Sequence, residues 1–157
     1  MSALLLRIAA SLFLLLTGCS RSSSVAPPSG WIEIDGGGFK FYVPPDMKPG
    51  QMGGYDSLVG RYRSQSIALT YDYGAYSDSL NYSDHSSFTE KTETIDGKNA
   101  KVASFYSAAF GQSSPHVIAV HFPMVSGKET KLTISAACRA TNDFETAIII
   151  FRTIKFK

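Results

Sequence analysis

Two cysteines and three histidines stand among the side chains that could do chemistry, together with a run of acids and tyrosines between Gly74 and Ser87. The thiolate is the reactive form of cysteine, and the two cysteines have unlike settings. Cys19 follows an apolar run and two small residues, whereas Cys138 closes the run Lys131–Cys138 in register with Leu132, Ile134 and Ala136. That register predicts a buried, inert thiol on the apolar face of a strand. His116 and His121 are five residues apart, so in one strand they face opposite sides of a sheet and cannot chelate together. His85 lies with Asp78 and Asp84 in the polar stretch from Gly74 to Ser87, the one place where an acid–base pair or a ligand set could assemble. Tyr76 and Tyr82 in the same stretch add aromatic surface suited to a peptide, a glycan or a partner. Tyr76, Tyr82, Asp84 and His85 are therefore the candidate ligand-contact residues. The sequence supplies no nucleophile elbow of the G-x-S-x-G kind, and Gly36-Gly37-Gly38 is followed by neither Lys-Ser nor Lys-Thr and reads as a turn. No catalytic residue, metal set or cofactor is called for.

The elements that must position these residues begin after a leader. Met1 to Gly18 carries one basic residue, Arg7, then an apolar stretch from Ile8 to Leu16, then Thr17-Gly18 before Cys19. Crossing the hydrocarbon core takes about 20 apolar residues, so this is the core of an export signal and not a permanent span. Leu16-Thr17-Gly18-Cys19 resembles the lipobox of bacterial lipoproteins. The resemblance implies lipid transfer to the Cys19 sulfur, cleavage between Gly18 and Cys19, and attachment to the membrane through the lipid. Several acyl chains on one residue hold where a single chain does so only marginally. Ser20 stands where Asp would imply retention at the inner membrane, which favours the outer membrane by the same resemblance. Residues 19–30, with Ser-Arg-Ser-Ser-Ser and Pro27-Pro28, read as the lipidated cysteine and a flexible linker.

Residues 31–157 are the size of one domain. The formal charge is +2, and removal of Arg7 with the leader lowers it to +1. Lys and Arg are scattered along the chain, which argues against nucleic acid as a partner. Once Cys19 is lipidated only Cys138 remains, so packing and not a disulfide must hold the domain.

Alternating segments mark strands at Trp31–Asp35, Phe39–Val43, Ser57–Arg63 and Ile67–Tyr73, then at Phe88–Ile95, Lys101–Ser107, His116–Val125 and Lys131–Cys138. Asp96-Gly97 is a strong hairpin signal, and the strand pairs read as a meander. Tyr71 and Tyr73 share the face of Ile67 and Leu69 and read as core. Asn142–Thr153 changes period, placing Phe144, Ala147, Ile148 and Phe151 on one helical face, with Asn142 and Glu145 spaced as a capping box. The expectation is an α+β domain: an antiparallel sheet of about seven strands with this C-terminal helix on one face.

The Phe-rich strand closing on Val43-Pro44-Pro45, the FTEKTETIDGKNAKV hairpin and the closing DFETAIIIFRTIKF segment resemble the fold family of PsbP and the Mog proteins. The resemblance implies an αβα sandwich and carries over no functional residue. Two functions are expected from the chain as a whole. The first is an envelope lipoprotein whose domain binds an envelope protein or polymer without catalysis. The alternative is a hydrolase-like envelope enzyme with its site on the Gly74–Ser87 loop.

Overall fold

The computed structural model describes residues 23–157 apart from 52, 55, 86, 108–115 and 127–128. The export signal, Cys19 and Ser20 lie outside the described residues. Strands form where the sequence alternates: β1 (Ile32–Asp35), β2 (Phe39–Val43), β3 (Lys48–Pro49), β4 (Leu58–Arg63), β5 (Ile67–Gly74), β6 (Thr89–Ile95), β7 (Lys98–Tyr106), β8 (His116–Ser126) and β9 (Thr130–Cys138). Helix α1 (Asn142–Arg152) and the short strand β10 (Lys155–Phe156) close the chain. Asp96 and Gly97, both at positive φ (49° and 74°), make the two-residue turn of the β6–β7 hairpin, the backbone shape that matches strand twist.

Seven strands form one antiparallel sheet in the order β3-β4-β5-β9-β8-β7-β6, and β1, β2 and β10 form a second, three-stranded sheet. The α+β architecture with a seven-stranded sheet and a C-terminal helix is thus as expected, but the meander is not. Each predicted hairpin forms, yet β5 pairs with β9 across the chain, Ile67 opposite Cys138 and Tyr71 opposite Ile134. The reason is composition. Strands β5 and β9 each present an unbroken apolar face and belong in the centre, whereas β6 exposes Thr89 to Thr92 and suits an edge.

One face of the large sheet meets the small sheet and α1. Phe39, Phe41 and Val43 are fully buried in alternation along β2, and the rings of Phe39 and Phe41 stand edge-on to Tyr71 at 5.4 and 5.9 Å. Gly60 is required beneath that ring, because a Cβ there would collide with it. Cys138 is buried and free, as its register predicts. Burial, assisted by the charge of Asp143, pushes its thiol up to about 12.

Helix α1 departs from its expected details. Ala147, Ile150, Phe151 and the following Ile154 are the buried stripe, while Phe144 and Ile148 are half-buried against its edge. The capping box does not form: Thr141 is the N-cap and makes no side-chain cap bond. Asp143 takes over, accepting the Ser66 hydroxyl at 2.9 Å and the Ala140 N–H at 3.0 Å. This ties the helix start to the β4–β5 turn. Arg152 is not a free surface residue. Its guanidinium grips Glu93 of β6 at 3.0 and 3.1 Å. Burial opposes ionisation of Glu93, but its hydrogen bonds to Arg152 and Lys91 outweigh it and bring its carboxyl down to about 2.

The sandwich implied by the PsbP resemblance would carry helices on both faces. Among the described residues α1 is the one helix, and irregular chain covers the other face. The linker also differs from a free tether from Ser23 onward. The Ser23 N–H donates to Thr94 O at 2.7 Å, the Asp96 N–H to Ser24 Oγ at 2.6 Å, and the Val25 N–H to Arg152 O at 3.0 Å.

Replacing Phe151 with Ala should cost about 3–5 kcal/mol, and Glu145→Ala, on the exposed side, within about 0.5 kcal/mol. Denaturant unfolding midpoints check both, and near-equal midpoints would contradict a buried helix stripe. Cys138 should resist a maleimide in the folded protein and react once guanidinium unfolds it. Rapid labelling under native conditions would contradict its burial.

Candidate functional site

The second face of the large sheet carries side chains too small to seal themselves. Alternation along the central strands puts Thr70 and Asp72 of β5 on this side, with Thr133 and Ser135 of β9, Val117 and Ala119 of β8, and Phe105 of β7. The segment from Ala75 to Phe88 lies over them as a cover. Leu80 is its apolar anchor, buried against Ala103 and Ala119. Leu80 sits at φ +55°, and its N–H donates to Asp78 Oδ1 at 2.8 Å.

The cover is pinned by one hydroxyl. Thr133 Oγ1 donates to Asp78 O at 2.6 Å, so its single proton is spent. The Ser77 hydroxyl at 2.6 Å and His121 Nδ1 at 2.9 Å must then both donate to it. His121 is accordingly the Nδ1–H tautomer. Burial, helped by the positive charges of Lys101 and Lys131, holds its pKa below the usual histidine value.

Between cover and sheet remains a cavity of about 290 Å³. Its floor holds Thr70, Thr133 and Ser135, its wall Leu80, Val117 and Ala119, and Tyr82, His85 and Phe105 complete one side. Those three rings form a cluster, with Tyr82–Phe105, His85–Phe105 and Tyr82–His85 centroids at 4.9, 5.2 and 5.3 Å. The Tyr82 hydroxyl donates to Asp78 Oδ2. That hydrogen bond, with burial and the Asp78 charge, pushes the phenol up to about 12. His85 Nδ1 lies 3.4 Å from Tyr106 O. Asp72 also lines the cavity, and its Oδ1 is closed to solvent without a hydrogen-bond partner among the described residues. A wider groove of about 520 Å³ runs between α1 and β6–β7, lined by Phe144, Ile148 and Arg152 among others, and holds none of the predicted residues.

Of the four predicted contact residues, the structure brings Tyr82 and His85 together on the cavity. Asp84 is exposed and off its lining, and Tyr76 projects into solvent at 81% exposure. Asp78 lines the cavity with His85 and accepts the Tyr82 hydroxyl, whereas Asp84 does not join them. His116 and His121 do lie on opposite faces, His116 against Phe144 of α1 and His121 against Thr133. Among the described residues no group of three or more His, Cys, Asp or Glu is placed to hold a metal ion. Sequence reading missed Asp72, Thr133 and Ser135. Their signal was the polar alternate face of strands whose other face is apolar, which reads as solvent-facing until a cover is known.

No protein-family model matches the chain, and no curated protein matches it in sequence. The likeness to PsbP and Mog therefore rests on sequence pattern alone.

The Asp78–Tyr82 bond sets a measurable titration. A raised phenol pKa means that its contribution to stability is present below about pH 10, the unfolded value, and is lost as pH rises through about 12. In Asp78→Asn the Tyr82 resonance, followed by NMR of ¹³Cζ-labelled tyrosine, should titrate closer to the ordinary value. An unmoved midpoint would remove Asp78 as the cause.

Proposed function

We propose that the protein is an exported lipoprotein, anchored through Cys19 with the outer membrane favoured by Ser20, whose domain is a non-catalytic binding module. The observation that carries the binding part is the preformed cavity beneath residues 75–88. Its cover is locked by the Thr133 network and by Asp78, so Asp78 and Tyr82 serve the architecture of the cavity. A small cavity with apolar walls and a few fixed polar groups is the usual form of a small-ligand site.

The course of the chain supports the anchored part. No helix among the described residues is long and apolar enough to cross a membrane, and in this reading the lipobox cysteine provides the attachment. Ser23 docks at Thr94, whose partner across the hairpin is Asn99 at the start of β7, while the cavity's Phe105 lies near the other end of that strand. At about 3.3 Å per residue the separation is roughly 20 Å. The tether thus joins one end of the sheet and the aromatic cluster of the cavity lies toward the other, turned away from the membrane.

The anchor is tested by Cys19→Ala in a bacterial envelope. Wild-type chain should take up a fatty-acid probe and fractionate with the outer membrane, and the variant should persist as an uncut, unlabelled precursor. Labelled Cys19→Ala, or wild-type chain free of lipid, would overturn the anchored reading.

A further inference from the structure

We propose that the cavity under the 75–88 cover binds a neutral sugar, an inference that rests on the binding-module reading and names its ligand class. The deciding observation is a set of hydroxyls with unused capacity. Thr70, Ser107 and Ser135 line the cavity, and among the described residues none of the three hydroxyls makes a hydrogen bond. Packing does not close their oxygens off, in contrast to Asp72 Oδ1. The Thr133 hydroxyl differs, since Ser77, His121 and the Asp78 carbonyl already engage it. A hydroxyl can donate once and accept twice, so the three free ones match a polyhydroxylated ligand in both directions. Thr70 and Ser135 are direct cross-strand partners. Their side chains leave the sheet about 4.5–5.5 Å apart, within the span of one six-membered ring.

The aromatic cluster supplies the second half of the match. Tyr82 and His85 are half-buried beside Phe105, the Tyr82 and Phe105 centroids are 4.9 Å apart, and the Asp78 carboxylate fixes the Tyr82 hydroxyl. An aromatic face is negative, and the C–H bonds of a sugar ring, polarised by the neighbouring oxygens, present positive hydrogens to it. Charge sets the ligand as neutral. Asp72 and Asp78 line the cavity and neither Lys nor Arg does, which disfavours a uronate or a sugar phosphate. Asp78 is already engaged by the Tyr82 hydroxyl and the Leu80 N–H, so the two acids do not form a site for a cation. At about 290 Å³ the cavity lies at the small end of ligand sites, which limits the ligand to one or two rings.

The test is calorimetric titration of the full-length lipidated protein in phosphatidylcholine nanodiscs, which carry no sugar, with D-glucose and with N-acetyl-D-glucosamine. Cyclohexanol, a six-membered ring bearing a single hydroxyl, is titrated in parallel. At least one sugar should bind about tenfold or more tightly than cyclohexanol, because only a sugar answers several fixed hydroxyls at once. Thr70→Val and Ser135→Ala each remove one hydroxyl with little change of shape. Each should weaken that sugar about three- to tenfold, the effect of one hydrogen bond, and leave cyclohexanol unchanged. Ser83→Ala, at an exposed position of the cover away from the cavity lining, should change neither. Cyclohexanol bound as tightly as both sugars, or Thr70→Val and Ser135→Ala proteins that keep their sugar affinity, would overturn the ligand class while leaving a binding cavity. Absence of binding by all three probes would overturn the inference, and the separate lipid labelling of Cys19 decides whether the anchored reading stands without it.

Discussion

The pairing of β8 with β9 places two strands under cover on both faces at once: Val117 to Phe122 are buried without a break, and so are Leu132 to Ile134 and Ala136 to Cys138. A strand buried on one face can leave its alternate residues to water, but these cannot. Two separate covers are therefore obligatory, and the rest of the molecule is arranged to supply them. The small sheet and α1 cover one face with large apolar side chains. Residues 75–88 cover the other.

The two covers obey different physics. On the first face, Phe39, Phe41, Phe151 and Ile150 fill the space against Tyr71, Leu132 and Ile134, and dispersion and water exclusion hold the layers. The second face has Thr70, Thr133, Ser135 and Ala119, which bury little apolar area. The cover is held there by Leu80 and by hydrogen bonds around Thr133. Irregular chain carries backbone polar groups that must find partners when buried. The Asp78 carbonyl finds the Thr133 hydroxyl, and the Leu80 N–H finds the Asp78 carboxylate. A layer built this way leaves space, and the cavity is that space. The large apolar side chains are concentrated on the other face.

The chain ends reinforce the first face. Asp96, at the β6–β7 turn, accepts from Phe156 N at 2.8 Å and from Lys155 Nζ at 3.0 Å, fixing β10 beside β2. Ser23 to Val25 bond to Thr94, Asp96 and Arg152 at the same corner. The chain emerging from the proposed lipid site is thereby coupled to the edge strand β6 and to the end of α1. Its backbone bonds there also occupy part of an edge that would otherwise offer free donors and acceptors.

Local chemistry was legible without a structure. The lipobox pattern ending at Cys19, the positions of the strands, the Asp96-Gly97 turn, the helix after Asn142 and the burial of Cys138 and Tyr71 all follow from alternation, periodicity and turn residues, which act over a few neighbours. The register of Phe39, Phe41 and Val43 was equally plain. Only the tertiary structure decided that β5 pairs with β9, that the chain beyond Ile154 forms a strand at Lys155–Phe156 beside β2, and that Asp143 and not Asn142 serves the helix start. Each depends on a partner distant in sequence: Cys138 for Ile67, Phe39 for Phe156, Ser66 for Asp143. The site divides in the same way. Tyr82 and His85 were evident as chemistry-bearing residues of a polar stretch, but Asp72 and Thr133 looked like the wet face of a sheet. They become a cavity floor only because the 75–88 segment folds back over them, and nothing within a few residues of Asp72 encodes that return.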